Sequence, residues 1–251
     1  MVVIHSKRIQ YVLGICSSPL PAKSSEMRER LYADIRSYSF NEFVDFLFDR
    51  PLQPESEDRS RSWFFNTQVS FDPARVCEYY VRLFRQPSFL IDHFSKEQLE
   101  QGFRATTRRS LSCSAKCIIW NTDLPFQARA ECVKSMFYLF PAVFSIDPLG
   151  FNASMWWDAF CFDWECGIKR RARGGEDLKM QDVLFETLSE VLTLDSAICR
   201  GSALHGLEHL HHPETRMLIG TFLSDHPDLA MEWKDYLQRI CRDKPLWMQR
   251  T

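Results

Sequence analysis

Glycine is scarce, at 9 of 251 residues. All-β folds and cofactor folds built on tight loops draw on more of it, because only glycine enters left-handed conformations freely. The chain also has no Gly-rich dinucleotide loop, no Lys-Ser/Thr phosphate loop, no kinase signature and no nucleophile elbow. Long hydrophobic runs are missing as well: none approaches the ~20 apolar residues of a membrane span, so no membrane association is expected. Charge is not in excess, with 31 basic residues against 33 acidic ones and a formal net charge of -2. That balance argues against a protein that seeks polyanions through its total charge. The nine cysteines form no ladder of paired spacings. An odd, scattered set reads as free thiols in a reducing cytoplasm, and Cys132, inside a helical pattern, behaves as a small apolar side chain. Cys113 with Cys117, and Cys161 with Cys166, have the wrong spacing for a structural zinc knuckle.

Large apolar side chains are plentiful. A hydrophobic content of 45%, with 20 phenylalanines and 7 tryptophans, predicts an all-α fold, an irregular helical array packed through bulky residues. Residues 1–25 carry Lys7, Arg8 and Lys23, no acid, and only a broken apolar stretch. They read as a non-essential N-terminal extension to a single domain over 26–251.

From Met27, the spacing of Leu31, Ile35 and Tyr38 predicts a first helix. Ser39 with Glu42 matches a capping box ahead of Phe43, Phe46 and Leu47, and the helix ends before Pro51. The mixed charges of Glu55–Arg61 mark an exposed loop. Pro73 opens a helix with Val76, Tyr80, Leu83 and Phe84 inside, a short helix follows at Phe89–Phe94, and Ser95 with Gln98 caps the next. Residues 104–122 are the least regular and hold the candidate sub-boundary, with only Cys117–Trp120 expected to be buried. Asp123 as cap and Pro125 at the first helical position announce a helix carrying Phe126, Ala130, Val133, Phe137 and Phe140, broken at Pro141. Met155–Trp164 is apolar nearly all round, as in a helix covered on most sides. Met180, Leu184, Leu188 and Val191 form another stripe, and three short helices close the chain near 196–210, 213–225 and 228–242.

In the stretch Ser202–Thr215, Ala203 and Gly206 permit close helix approach and Leu204 and Leu207 fill a seam. Pro213 starts a returning helix whose inner face is Leu218, Ile219 and Phe222. This resembles the turn-and-helix element of HEAT-like repeats, in which antiparallel helix pairs stack into an α-solenoid, and the resemblance covers roughly the last third of the chain. HEAT-like helical proteins of bacteria include immunity partners of toxins. The resemblance therefore implies partner binding more than catalysis, by analogy of fold.

Three groups of residues could carry function. His205 and His209 stand one helical turn apart and could share a metal ion, with Glu208 or His212 as third ligand. Against this, both suit a polar helix interface, and His211 and His212 suit a helix C-terminus, where the backbone dipole favours positive charge. The aromatic and acidic run Trp156, Trp157, Asp158, Asp163, Trp164, Glu165 could anchor a cationic partner, or use Asp158 and Glu165 as acid and base. The plainer reading is a buried helix whose carboxylates reach the arginines downstream. Lys169, Arg170, Arg171 and Arg173 could hold phosphate, with Arg104, Arg108 and Arg109 as a second basic cluster. Glu176 and Asp177 at the start of the next helix favour a solvated loop instead.

The leading expectation is a protein-binding module without enzymatic activity or cofactor, of the immunity or antitoxin type. Its contacts would be Trp156, Trp157, Asp158, Asp163, Glu165, Arg170, Arg171 and Arg173. The alternatives are a hydrolase, metal-dependent through His205, His209 and His212 or carboxylate-dependent, and a nucleic-acid-binding solenoid using Arg170, Arg171 and Arg173.

Overall fold

The computed structural model describes residues 31–52, 62–227, 231–242 and 248. The N-terminal extension, the helix start at Met27 and the Glu55–Arg61 run lie outside the described residues. Eleven α-helices and two short strands make up the regular structure of the described part, so the all-α expectation holds with one small exception.

The exception is local. Leu31–Asp34 is a strand, β1, paired in parallel with β2, Thr67–Ser70, in the register Leu31 to Thr67. The expected helix is thus replaced over these residues. Leu31 and Tyr32 are exposed, Ile35 alone of the apolar stripe is fully buried, and the backbone finds its hydrogen-bond partners across the ladder. Three apolar residues at helical spacing, of which only Ile35 is buried, are too few to outweigh the hydrogen bonds of the β1–β2 ladder.

The capping signals, by contrast, act as written. Ser39 starts α1 (Phe40–Phe48), where the Glu42 carboxylate accepts from the Ser39 amide at 2.7 Å while Ser39 Oγ accepts from the Glu42 amide. Asp72 and Pro73 open α2 (Pro73–Arg85), and α3 follows at Phe89–His93. A second capping box, Ser95 with Gln98, opens α4 (Lys96–Thr106). Each such cap is worth about 1 kcal/mol. In the irregular stretch Ser114 caps α5 (Ala115–Ile118), and Leu111, Cys113, Ala115 and Lys116 are buried beside the expected Ile118 and Ile119.

α6 (Phe126–Ser135) starts without a side-chain cap: Pro125 is itself the N-cap rather than the first helical residue, so Asp123 stands too far back to cap and instead donates its amide to Asn121 Oδ1. Nor does the chain break at Pro141. A 3-10 turn at Met136–Tyr138 leads into a π-helical turn at Phe140–Phe144, whose wider ring accommodates a residue with no N–H. The remaining helices are α7 (Asp158–Glu165), α8 (Gly175–Leu192), α9 (Ala197–Leu210), α10 (Thr215–Asp225) and α11 (Met231–Arg242).

One continuous apolar core runs from Ile35 to Ile240. At its centre Trp157 lies flat on Phe140 with ring centroids 5.6 Å apart, and Trp156 meets Phe84 and Phe103 edge-on. α9 packs on both α7 and α8. No helix among the described residues is long and apolar enough to cross a membrane, and the eight described cysteines are free thiols.

Candidate metal centre

The contact between α7 and α9 rests on a glycine. A Cβ added at Gly206 would stand 2.7 Å from Trp157 Cβ and 2.7 Å from Leu188 Cδ2, closer than carbon atoms tolerate, so only glycine lets α9 lie this near the start of α7. Flanking that contact, His205 and His209 reach the same carboxylate, that of Asp158, the first residue of α7. His205 Nε2 is 2.9 Å and His209 Nε2 3.2 Å from Asp158 Oδ1. One ligand atom from each of the three residues falls within 4.8 Å of the others.

These approaches are close but out of line. Asp158 Oδ1 and His205 Nε2 are both buried, and neither makes a hydrogen bond among the described residues. Atoms at such distances that do not aim at one another are arranged as around a common point. Metal–ligand bonds of ~2.0–2.1 Å place neighbouring ligand atoms roughly 2.9 Å apart at right angles and about 3.3 Å apart in a tetrahedron. The two observed spacings match that range.

Behind each imidazole stands a carboxylate. Glu208 Oε2 is 3.7 Å from His205 Nδ1, and Glu165 Oε2 is 3.9 Å from His209 Nδ1. Glu208 is itself held by the Tyr236 hydroxyl at 2.9 Å, and Glu165 by His211. At these separations the carboxylates supply charge rather than hydrogen bonds, and His209 Nδ1 is buried without a hydrogen-bond partner among the described residues.

Electrostatics binds the group together. Burial alone would raise the Asp158 carboxyl, but the two imidazoles beside it hold it well below the usual carboxylate range. Burial opposes charge on His205, yet Asp158 and Glu208 outweigh it and raise the imidazole to about 9. His209 is raised against burial by Asp158 and Glu165. Glu165 is brought down to about 2, the histidines again overcoming burial.

Asp158 also lines a cavity of about 340 Å³, together with Phe65, Thr107, Arg108, Arg109, Ser110, Lys116, Ala159, Phe162 and Asp163. Asp163 accepts from Arg109 Nη2 at 2.7 Å and from Lys116 Nζ at 2.8 Å. Lys116 is almost fully buried, and burial lowers its ammonium against the pull of Asp163. A larger cavity, of about 670 Å³, lies between α2 and α6 and is lined by none of the three candidate ligands.

The structure redistributes the residues expected to act. His205 and His209 come together as expected, but the third member is Asp158. His212 is buried against the Phe185 ring at 4.0 Å and bonds Asp182 at 2.9 Å, outside the cluster. Trp156 and Trp157 are 1% and 0% exposed, so neither can present a ring to a partner. Their size and apolarity place them at the centre of the core instead. Asp158 pairs with His205 and His209, and Asp163 with Arg109 and Lys116, rather than with the arginines downstream. Those bind the next helix: Arg171 meets Asp182, Arg173 approaches Asp177 at 3.8 Å, and Arg170 takes the Asp177 carboxylate on its backbone amide.

Asp158 was legible as chemistry, though not as the partner of His205 and His209, because residues 47 and 51 positions apart on different helices give no sign of contact in the sequence. Comparison with known proteins finds no matching family model, no matching curated protein and no matching solved structure.

Proposed function

We propose that the protein holds a divalent transition-metal ion through Asp158, His205 and His209 and works as a metal-dependent hydrolase. The observation that supports this reading is the approach of His205 Nε2 and His209 Nε2 to one oxygen, Asp158 Oδ1, at 2.9 and 3.2 Å, with His205 Nε2 and Asp158 Oδ1 buried and without a hydrogen bond among the described residues. Two imidazoles and one carboxylate suit zinc, or the other divalent ions of the first transition row, better than calcium or magnesium. Three protein ligands leave a coordination position open, as catalytic sites do, whereas structural zinc is closed by four. Asp158 also borders the cavity it shares with Phe162 and Asp163, from which that position would be approached. An ion there would polarise water or a substrate oxygen.

The test is elemental analysis of protein purified without an affinity tag. A single zinc, iron, cobalt or manganese ion per chain is expected, lost in both Asp158→Ala and His205→Ala while the fold is retained by circular dichroism. No stoichiometric metal, together with no thermal stabilisation when these ions are added, would overturn the reading.

A second reading, binding of a protein partner of the immunity type, draws support from exposed apolar side chains rather than from the tryptophans. Ile146 is 69% and Phe151 81% exposed, and Met155 lies one turn beyond Phe151 on the same surface segment. Substituting Phe151 by Asp should abolish capture of a specific partner from the native host while leaving metal content unchanged.

A further inference from the structure

The cavity beside Asp158 joins cations, hydroxyls and aromatic rings in a small volume. Arg108, Arg109 and Lys116 face two acids, Asp158 and Asp163. One carboxylate, Asp163, answers both Arg109 and Lys116, so that trio is positive by one charge. Asp158 is already engaged by His205 and His209. Thr107 and Ser110 add hydroxyls to the same wall. Phe65 and Phe162 add aromatic rings to the lining, and Phe162 also meets the His209 ring edge-on at 5.2 Å, which ties the cavity to the candidate metal ligands.

We propose that this cavity is the substrate subsite of the metal centre and that it takes a small phosphate ester bearing a flat apolar group. The inference rests on the hydrolase reading. Guanidinium groups match phosphate oxygens in shape and charge, and a carboxylate-balanced surplus of cations selects an anion over a neutral ester. Phe65 and Phe162 receive the apolar group. Hydrolysis would break the ester P–O bond and form a new one from a water oxygen to phosphorus, with the water's proton passing to the departing alcohol or phenol oxygen.

The probe is 4-nitrophenyl phosphate, measured against the full-length protein after metal removal by chelation, so that the subsite is read separately from the ion. Saturable binding is expected by calorimetry, weakened about tenfold or more by Arg109→Ala and by Arg108→Ala, with metal uptake by both variants unaltered. Neutral 4-nitrophenyl acetate should not compete. With metal restored, release of 4-nitrophenol should follow the same order of KM. Equal binding of the neutral ester, or phosphate binding that ignores both arginine substitutions, would overturn the subsite even if the metal reading stands. Failure of the metal reading alone would leave probe binding intact and abolish only turnover.

Discussion

Replacing Gly206 by alanine tests whether the α7–α9 contact builds the site. The added methyl would sit 2.7 Å from Trp157 Cβ and Leu188 Cδ2 and 3.0 Å from Trp157 Cγ, against a comfortable carbon separation of about 3.5–4.0 Å. Leu188 could turn its methyl aside only within a filled core, since it is fully buried. Trp157 Cβ cannot yield without moving the start of α7, because the indole is stacked on Phe140. Overpacking of this kind costs about 1–3 kcal/mol, and two contacts overlapping by about 1 Å place it at the upper end. Alanine returns about 1 kcal/mol of helix propensity. The net loss should be about 2 kcal/mol, which in a chain of this size lowers Tm by roughly 4–8 °C. Gly220→Ala is the control. It lies in α10 with nothing within 4 Å of the new Cβ, so it should stabilise by about 0.5–1 kcal/mol. Urea denaturation of both variants, metal-free, measures the pair. Displacement of α9 also carries His205 and His209 away from Asp158, so Gly206→Ala should weaken metal binding about tenfold. A Gly206→Ala protein as stable as Gly220→Ala would refute the close-packing argument.

Two further outcomes follow from buried charge. Asp163→Asn leaves Lys116 without its anion at 4% side-chain exposure and should cost about 3–5 kcal/mol in urea denaturation, whereas Lys116→Met leaves Asp163 paired with Arg109 and should cost much less; equal losses would contradict the asymmetry. For His212, burial against Phe185 pushes the imidazole below its ordinary value, with Arg171 adding to the effect and Asp182 opposing it. Between that lowered value and about 6.5 the unfolded chain binds more protons than the folded one, so this contribution is complete above about 6.5 and is lost as pH falls through the window below. An NMR titration should place His212 below the ordinary histidine midpoint, and a midpoint at or above it would contradict the burial argument.

The parts of the fold that were legible are those coded by neighbours in sequence. Ser39 with Glu42 and Ser95 with Gln98 name their own amide partners, and Pro73 needs no partner at all. The spacing of Met180, Leu184, Leu188 and Val191 likewise announces one buried face, and all four are buried. What failed depended on distant chain. Residues 31–34 form a strand only because 67–70 lie alongside, and Pro141 is tolerated because the turn around it widens. The site divides the same way. His205 and His209 declare themselves through i,i+4 spacing, but Asp158 joins them from another helix, and His212, closer in sequence, is drawn off by Asp182 and Phe185.

The crowding of tryptophans at 156–164 then acquires a structural role that a binding face does not supply. Trp157 immediately precedes Asp158 and is held on one side by Phe140 and on the other by the bare backbone of Gly206. A smaller residue there would free the first turn of α7 and with it the direction of the Asp158 carboxylate. The indole N–H groups of Trp156, Trp157 and Trp164 are buried without hydrogen-bond partners among the described residues, an arrangement that costs stability at each one. Asp158 and Glu165 are themselves largely buried on the same helix, and away from water attraction between carboxylate and cation is strengthened. The glycine-poor, aromatic-rich composition thus converges on one place, where a rare glycine and three of the seven tryptophans set two histidines against an aspartate.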